Sequence, residues 1–245
     1  MQQLKHLLFA FLLFATVCAE AQVGIGTATP AATAQLDVSS TTKGFLPPRM
    51  DSTQRNAIGS PSTGLTIYNT TLKSVQVYNG TAWFSTVHFI GESYGGGIVF
   101  YVYDNGQHGL IAATADQKTS IQWYNGTYRY TGTTGDGLGA GAMNTAMIVA
   151  TQIADNQAGN FAAKVCADYS ITVGGVTYGD WYLPSKHELN LLYLKKAVVG
   201  GFANSYYWSS TEVDDFRAWF QSFIDGYQNY ISKFSTYDVR AVRAF

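Results

Sequence analysis

Few residues in this chain are placed to do chemistry. Cys166 sits in FAAKVCADY, a small, apolar, helical context in which a cysteine packs as a small hydrophobe instead of serving as a nucleophile. His108 falls in a turn and His187 in the first turn of a helix, and neither has a cysteine or carboxylate at metal-ligand spacing. Asp214-Asp215 reads as a solvated loop pair. Gly95-Gly96-Gly97 and Gly135-Asp136-Gly137-Leu138-Gly139 lack the Lys-Ser/Thr signature and the strand–helix setting of a phosphate loop, so they are turns. No catalytic residue, cofactor or metal site is expected, and the chain is not expected to be an enzyme.

Recognition chemistry is better represented. From Tyr206 the sequence runs YYWSSTEVDDFRAWFQSFIDGYQNYISKFSTYDVRAVRAF. Trp208, Trp219, Gln221, Phe223, Gly226, Gln228, Lys233 and the VRAVRAF segment form an aromatic frame. Threaded through it is a looser set: Val213, Asp214, Asp215, Phe216, Arg217, Phe220, Ser222, Ile224, Asp225, Tyr227, Asn229, Tyr230, Ile231, Ser232, Phe234, Ser235, Thr236, Tyr237 and Asp238. Tyrosines among small polar residues make good contact surfaces, because Tyr offers large area at little rotamer cost while Ser, Asn and Asp supply adaptable hydrogen bonds. These positions are the expected ligand-binding surface. Strand alternation puts Trp219, Gln221 and Phe223 on one face and Phe220, Ser222 and Ile224 on the other, with frame expected in the core and infill outside. Trp181, Trp208 and Trp219 are expected core anchors. Glu212, Arg240 and Arg243 are expected to form an ion-pair network, with at least one guanidinium partly buried and therefore paired.

Elements that position this tail follow from the rest of the chain. Its 245 residues allow one ordinary domain plus a smaller module, and a net charge of −1 offers no attraction for nucleic acid. Residues 1–21 read as a secretion signal: Lys5, an apolar run from Leu7 to Val17, and Ala19-Glu20-Ala21 before Gln22. The run is short of the ~20 residues of a membrane span. A secreted or cell-surface product is therefore expected, with lipidation at Cys18 a lesser alternative. After cleavage Cys166 is the remaining cysteine, so no internal disulfide forms and the core rests on packing.

Residues 22–87 form a β-rich stalk or attachment module. Leu65 to Asn69 and Ser74 to Tyr78 predict a hairpin, and Asp51 to Arg55 a short helix. So few large apolar side chains bury little surface, and oligomerisation is the physical remedy. Residues 88–245 form the second domain, ending in the 206–245 tail. Ile98 to Val102 and Gly109 to Ala113 predict a hairpin across Asp104-Asn105-Gly106. Asn144 is expected to cap a helix through about Ala154, and Asn160 to Asp168 suggests another. Ser185 and Glu188 form a capping box with Leu189, Leu192 and Tyr193 on one helix face.

The segments GIGTATP, LDVSSTTKGFLPPRM and TGLTIYNTTLKSVQVYNGTAW resemble a module that precedes adhesive domains in exported Bacteroidetes proteins and phage tail fibres. That resemblance implies a presenting role and a possible homotrimer. Further on, GGGIVFYV, HGLIAA, DWYLPSKHELNLLY, YWSSTE and VRAVRAF resemble the DUF1566 family, which includes the C-terminal domain of a Legionella collagen-like adhesin. The implied fold is α+β and C-type-lectin-like, of the variant shared with formylglycine-generating enzymes, with two main helices around a small twisted antiparallel sheet. Those enzymes use paired cysteines, which Cys166 alone does not supply, and the Glu-Pro-Asn and Trp-Asn-Asp runs of calcium-dependent lectins are missing.

The tail also resembles variable proteins of diversity-generating retroelements, in which asparagine codons are randomised to a set that excludes Lys, Glu, Gln, Met and Trp. Every infill residue falls in the permitted set, and every Lys, Gln and Trp of the stretch is a frame residue. The resemblance implies a receptor or adhesin for a protein or glycan on a cell, phage or host surface, with a retroelement-diversified surface. The alternative is an adhesin of fixed specificity for glycans.

Overall fold

The computed structural model describes residues 22–155 and 158–245, so the secretion signal read over 1–21 lies outside the described residues. The first segment opens with β1 (Val23–Ile25) and β2 (Leu36–Val38), a parallel two-stranded pair. Then come β3 (Arg49–Met50), α1 (Ser52–Asn56), β4 (Thr66–Asn69), β5 (Ser74–Tyr78) and β6 (Trp83–Ser85), with β3 to β6 in one sheet in sequence order. The predicted hairpin is β4–β5, and α1 starts where Asp51 and Gln54 exchange side-chain and backbone hydrogen bonds in a capping box.

The inner face of that hairpin is unexpectedly polar. Ile67 lies opposite Gln76 and Asn69 opposite Ser74, and the two amides are bonded to each other, with Arg55 donating to Gln76. Val75 and Val77 remain half-exposed on the other face.

The remainder carries two sheets. Strands β7 (Ser93–Tyr94), β8 (Gly97–Tyr103), β9 (His108–Ala112) and β17 (Val242–Ala244) form the first, in the order β17-β9-β8-β7. The β8–β9 hairpin turns through Asp104–Gly106, where all three residues have positive φ; Asn and Gly tolerate this readily. The second sheet has the order β10-β16-β13-β14-β15, from β10 (Lys118–Gln122), β13 (Tyr206–Glu212), β14 (Arg217–Ser222), β15 (Gln228–Ser232) and β16 (Thr236–Val239). β13 and β16 run parallel, so the single antiparallel sheet expected from sequence is corrected to two sheets, one of them mixed. The small hairpin β11 (Ile171–Val173) and β12 (Val176–Tyr178) stands apart.

Helices α2 (Ala140–Asp155) and α3 (Ala162–Ala167) close one core, and α4 (Lys186–Leu194) with the short α5 (Lys196–Val199) closes the other. Asn144 does not cap α2. The helix begins four residues earlier, and the Asn144 amide reaches from its buried side to Gly135 O at 2.8 Å. Ser185 does cap α4, in the expected box with Glu188. The first core gathers Val99, Ile111, Trp123, Ile148, Phe161, Cys166, Trp181, Trp208 and Phe220 between α2, α3 and both sheets. The second holds Phe100, Leu110, Leu189, Leu192, Tyr207, Phe223 and Val242 beneath α4. Burial pushes the Cys166 thiol well above its ordinary pKa, which suits packing and not reactivity.

Indole N–H groups inside the first core are satisfied: Trp123 donates to Ser209 O at 2.8 Å and Trp208 to Ile121 O at 2.9 Å. These two bonds tie β10 and the residue that follows it to β13, in the sheet that carries the tail.

Candidate functional site

The tail is built around the antiparallel pair β14–β15, in which Arg217 faces Ser232, Trp219 faces Tyr230, and Gln221 faces Gln228. Directly opposed residues share a face, so Arg217, Trp219, Tyr230 and Ser232 project together. The expected alternation holds for Gln221 and Phe223, which are buried, and for Ile224, which is exposed, but fails at Trp219, Phe220 and Ser222. Phe220 is 6 % exposed in the first core, against Trp208 and Tyr237, whereas Trp219 is half-buried on the outer face. Both faces of β14 are covered in part, because α4 lies over Gln221, whose amide donates to Asn190 Oδ1 at 2.9 Å. Ser222 and Asp238 are buried as well. Ser222 Oγ accepts from Ile224 N in the following turn, and Asp238 accepts from Ser120 N across the sheet. Phe220, Ser222 and Asp238 are therefore structural, not surface, residues. Trp181 and Trp208 are core anchors, as expected; Trp219 is not.

What the structure brings together is an outer face of alternating rings and cations. The Lys186 ammonium sits 4.3 Å from the Trp219 ring, Trp219 meets Tyr230 edge-on at 5.3 Å, and the Arg217 guanidinium lies 4.8 Å from Tyr230. Tyr128 continues the surface, with its hydroxyl 3.1 Å from Ser232 Oγ and its ring 5.0 Å from Phe216. Both cations are already paired. Asp214 accepts from Arg217 Nε and Nη2 at 2.9 and 2.6 Å, and Lys186 lies 3.2 Å from Asp136. The Arg217 hydrogen bonds hold the Asp214 carboxyl below the usual carboxylate range. Lys186, Trp219 and Tyr128 were not identified as surface from sequence. Lys186 comes from α4 and Tyr128 from the loop after β10, and no spacing in the chain announces either.

The other tail residues divide between the two ends of β14–β15. At one end lie Val213, Asp214, Asp215, Phe216, Phe234 and Ser235, where Lys233 N donates to Phe216 O. At the other lie Ile224, Asp225 and Tyr227, with Asn229 Nδ2 donating to the Tyr227 hydroxyl at 2.6 Å. Five strand steps from Arg217 to Ser222 place the two ends about 17 Å apart. Phe216, Ile224, Tyr227, Tyr230, Phe234 and Thr236 are exposed, whereas Ile231 and Tyr237 pack against the first core.

Three separate ion pairs, two of them buried and the third at the surface, replace the expected network of Glu212, Arg240 and Arg243. Glu212 pairs with Lys233 at 2.7 Å, both side chains fully buried, and also accepts from Thr131 N and Thr133 N. Lys233 adds a bond to Arg129 O at 2.9 Å and lies 4.4 Å from the Trp123 ring, while burial draws its pKa down. Arg240 is fully buried and pairs with Asp116 at 2.7 Å, so the expectation of a buried, paired guanidinium holds there. Burial outweighs that partner and raises the Asp116 pKa. Arg243 pairs with Asp180, whose carboxyl its hydrogen bonds hold below the usual range. Among the described residues, no cluster of His, Cys, Asp and Glu could hold a metal ion.

A model of the Lcl C-terminal domain matches residues 112–243, more than half of the chain. The chain belongs to the Lcl C-terminal domain family. That span runs from the end of β9 to β17 and contains the whole outer face. A model of the phage tail-like trimerisation region matches residues 24–138, fitting the resemblance of the first segment to tail-fibre modules and supporting a possible homotrimer. No curated protein matches the chain. The Lcl-type domain makes an adhesin-like surface role the coarse functional assignment.

Proposed function

We propose that this chain is an exported, surface-presented adhesin or receptor that binds a ligand through the outer face of β14–β15 and the loops at its two ends. The observation that carries this reading is the row Lys186, Trp219, Tyr230 and Arg217, partly open to solvent and anchored by buried ion pairs below. Exposed aromatic rings on a rigid sheet give contact area with little ordering cost. Both cations in the row are neutralised by aspartates, so the face suits a protein epitope or an uncharged glycan better than an acidic polymer, which would draw on free positive charge. Binding, not catalysis, is the proposed role, and three heads on one stalk would make it multivalent. A C-type-lectin-like fold belongs to the same reading, supported by two sheets flanked by helices.

Diversification of the tail is the finer proposal. It is supported by the infill residues being at least partly exposed, apart from Phe220, Ser222 and Asp238. Sequencing the locus across sibling cells tests it: substitutions confined to the exposed infill sustain it, and a uniform tail with no template repeat nearby leaves a fixed-specificity adhesin.

Binding itself is tested by joint alanine replacement of Phe216, Ile224, Tyr227 and Tyr230, all exposed. On cell-surface and glycan panels the variant is expected to lose capture while its circular dichroism and melting are unchanged. Equal capture by parent and variant places the site elsewhere.

A further inference from the structure

Residues 22–87 lack an apolar interior. Among the described residues of this segment, Pro47 and Ile67 are the buried apolar positions, and the other buried ones are Asn69, Ser74 and Gln76. The large apolar side chains have gone outward instead. In the parallel pair β1–β2, Val23 lies opposite Leu36 and Ile25 opposite Val38, so all four project from one face. The opposite face is closed by the chain's own turn: a Cβ at Gly24 would meet Thr27 O at 2.7 Å and Pro30 Cγ at 2.9 Å. Further along, Phe45 and Leu46 stand open beside the buried Pro47. These six side chains are 42 % to 68 % exposed.

A parallel pair of strands normally has both faces covered, and a segment this poor in buried apolar surface does not stabilise itself in water. Something must cover the bare face. The match to a trimerisation region, residues 24–138, includes β1, β2 and Phe45-Leu46, and it favours other copies of this chain, three in all, as the cover. The polar inner face of β4–β5 points the same way, since Arg55, Asn69, Gln76, Ser74 and Ser85 satisfy one another without adding hydrophobic stabilisation.

We infer that Val23, Ile25, Leu36, Val38, Phe45 and Leu46 form a hydrophobic core shared by three copies of this chain, so that residues 22–87 hold their fold only as an assembly. The shared core rests on the trimeric part of the proposed function and is independent of what the head binds. Dissociation and unfolding of this segment are then one event, whereas the head, with its own two cores, unfolds independently of protein concentration.

Sedimentation of the purified full chain from ~1 to ~50 μM tests this, a range over which a concentration-dependent assembly shows itself by mass action. The parent is expected to sediment at three times the chain mass. The double substitution Ile25→Asp/Val38→Asp is expected to sediment at the chain mass, with trypsin cutting at Lys43, Arg49, Arg55 and Lys73 while the head resists. Ile25→Leu/Val38→Ile is expected to stay trimeric. A parent that is monomeric or dimeric throughout that range, or an aspartate variant that remains trimeric, overturns the inference. Ligand capture by the monomeric aspartate variant, weaker through lost avidity, would leave the binding proposal standing on its own.

Discussion

Replacing Lys233 with methionine tests the claim that the tail is held from beneath by an ion pair. Methionine keeps the volume of the side chain and removes the ammonium. Two hydrogen bonds go with it, to Glu212 Oε2 at 2.7 Å and to Arg129 O at 2.9 Å, along with the contact to the Trp123 ring. Glu212 stays fully buried, left with the N–H groups of Thr131 and Thr133. Stranding one charge of a buried pair costs about 3–5 kcal/mol. With a urea dependence of about 2 kcal/mol per molar, the unfolding midpoint of the head should fall by roughly 2 M. Tryptophan fluorescence and far-ultraviolet circular dichroism would follow the transition together. The companion Glu212→Gln/Lys233→Met removes the stranded charge, leaves one backbone N–H without an acceptor at about 1–3 kcal/mol, and should recover part of the loss. A Lys233→Met midpoint within about 0.3 M of the parent, equivalent to roughly 0.5 kcal/mol, refutes the reasoning. So does a double variant no better than the single.

Other consequences are as direct. Glu188 receives Gly139 N, Ser185 N and the Tyr182 hydroxyl on its two oxygens, so Glu188→Gln turns an amide NH2 toward donors; urea unfolding should show about 1–3 kcal/mol lost, and a neutral result would contradict the convergence of donors. Gly226 has φ +85° and a Cβ there would meet the Tyr193 ring at 2.4 Å, so Gly226→Ala should cost more than ~1 kcal/mol and shift the resonances of the 223–227 turn; an unperturbed spectrum would count against it. Asp180 is held below its ordinary pKa by Arg243, so the unfolded chain takes up the proton first. The stability this gives is present above about pH 4 and is lost as pH falls through the lower folded value. Arg243→Gln should therefore flatten the acid limb of the stability profile below about pH 4; an unchanged limb would show that the pair contributes nothing there.

The elements that were legible in the sequence are those specified locally. Ser185 and Glu188 mark the start of α4 because both partners of the capping box lie within one turn. Asp104-Asn105-Gly106 marks its turn because those residues accept positive φ. In β14 the burial of Gln221 was legible, and that of Phe220 and Ser222 was not. Alternation gives two faces but not which one is inside, and here α4 covers part of the Trp219 face while the first core takes Phe220. Ion-pair partners were also hidden, since Arg240 finds Asp116 and Arg243 finds Asp180 across distances in the chain that no spacing rule spans. Asn144 carried a genuine local signal for a hydrogen-bonding amide. Its partner, Gly135 O, lies in the loop before α2, so the residue fixes that loop instead of starting the helix.

The fixed length of β14 sets a lower limit on what the molecule can grip with both of its loop clusters. A single sugar ring or a short side chain reaches one cluster only. To span the ~17 Å between them a partner needs the footprint of an oligosaccharide of several units or of a folded protein. Because the strand between them is locked from below, lengthening either loop adds reach without altering that separation, and closing the longer loop costs only about 0.6 kcal/mol per doubling. The hairpin thus behaves as a gauge: its two jaws can be retooled one at a time, and the gap they measure stays the same.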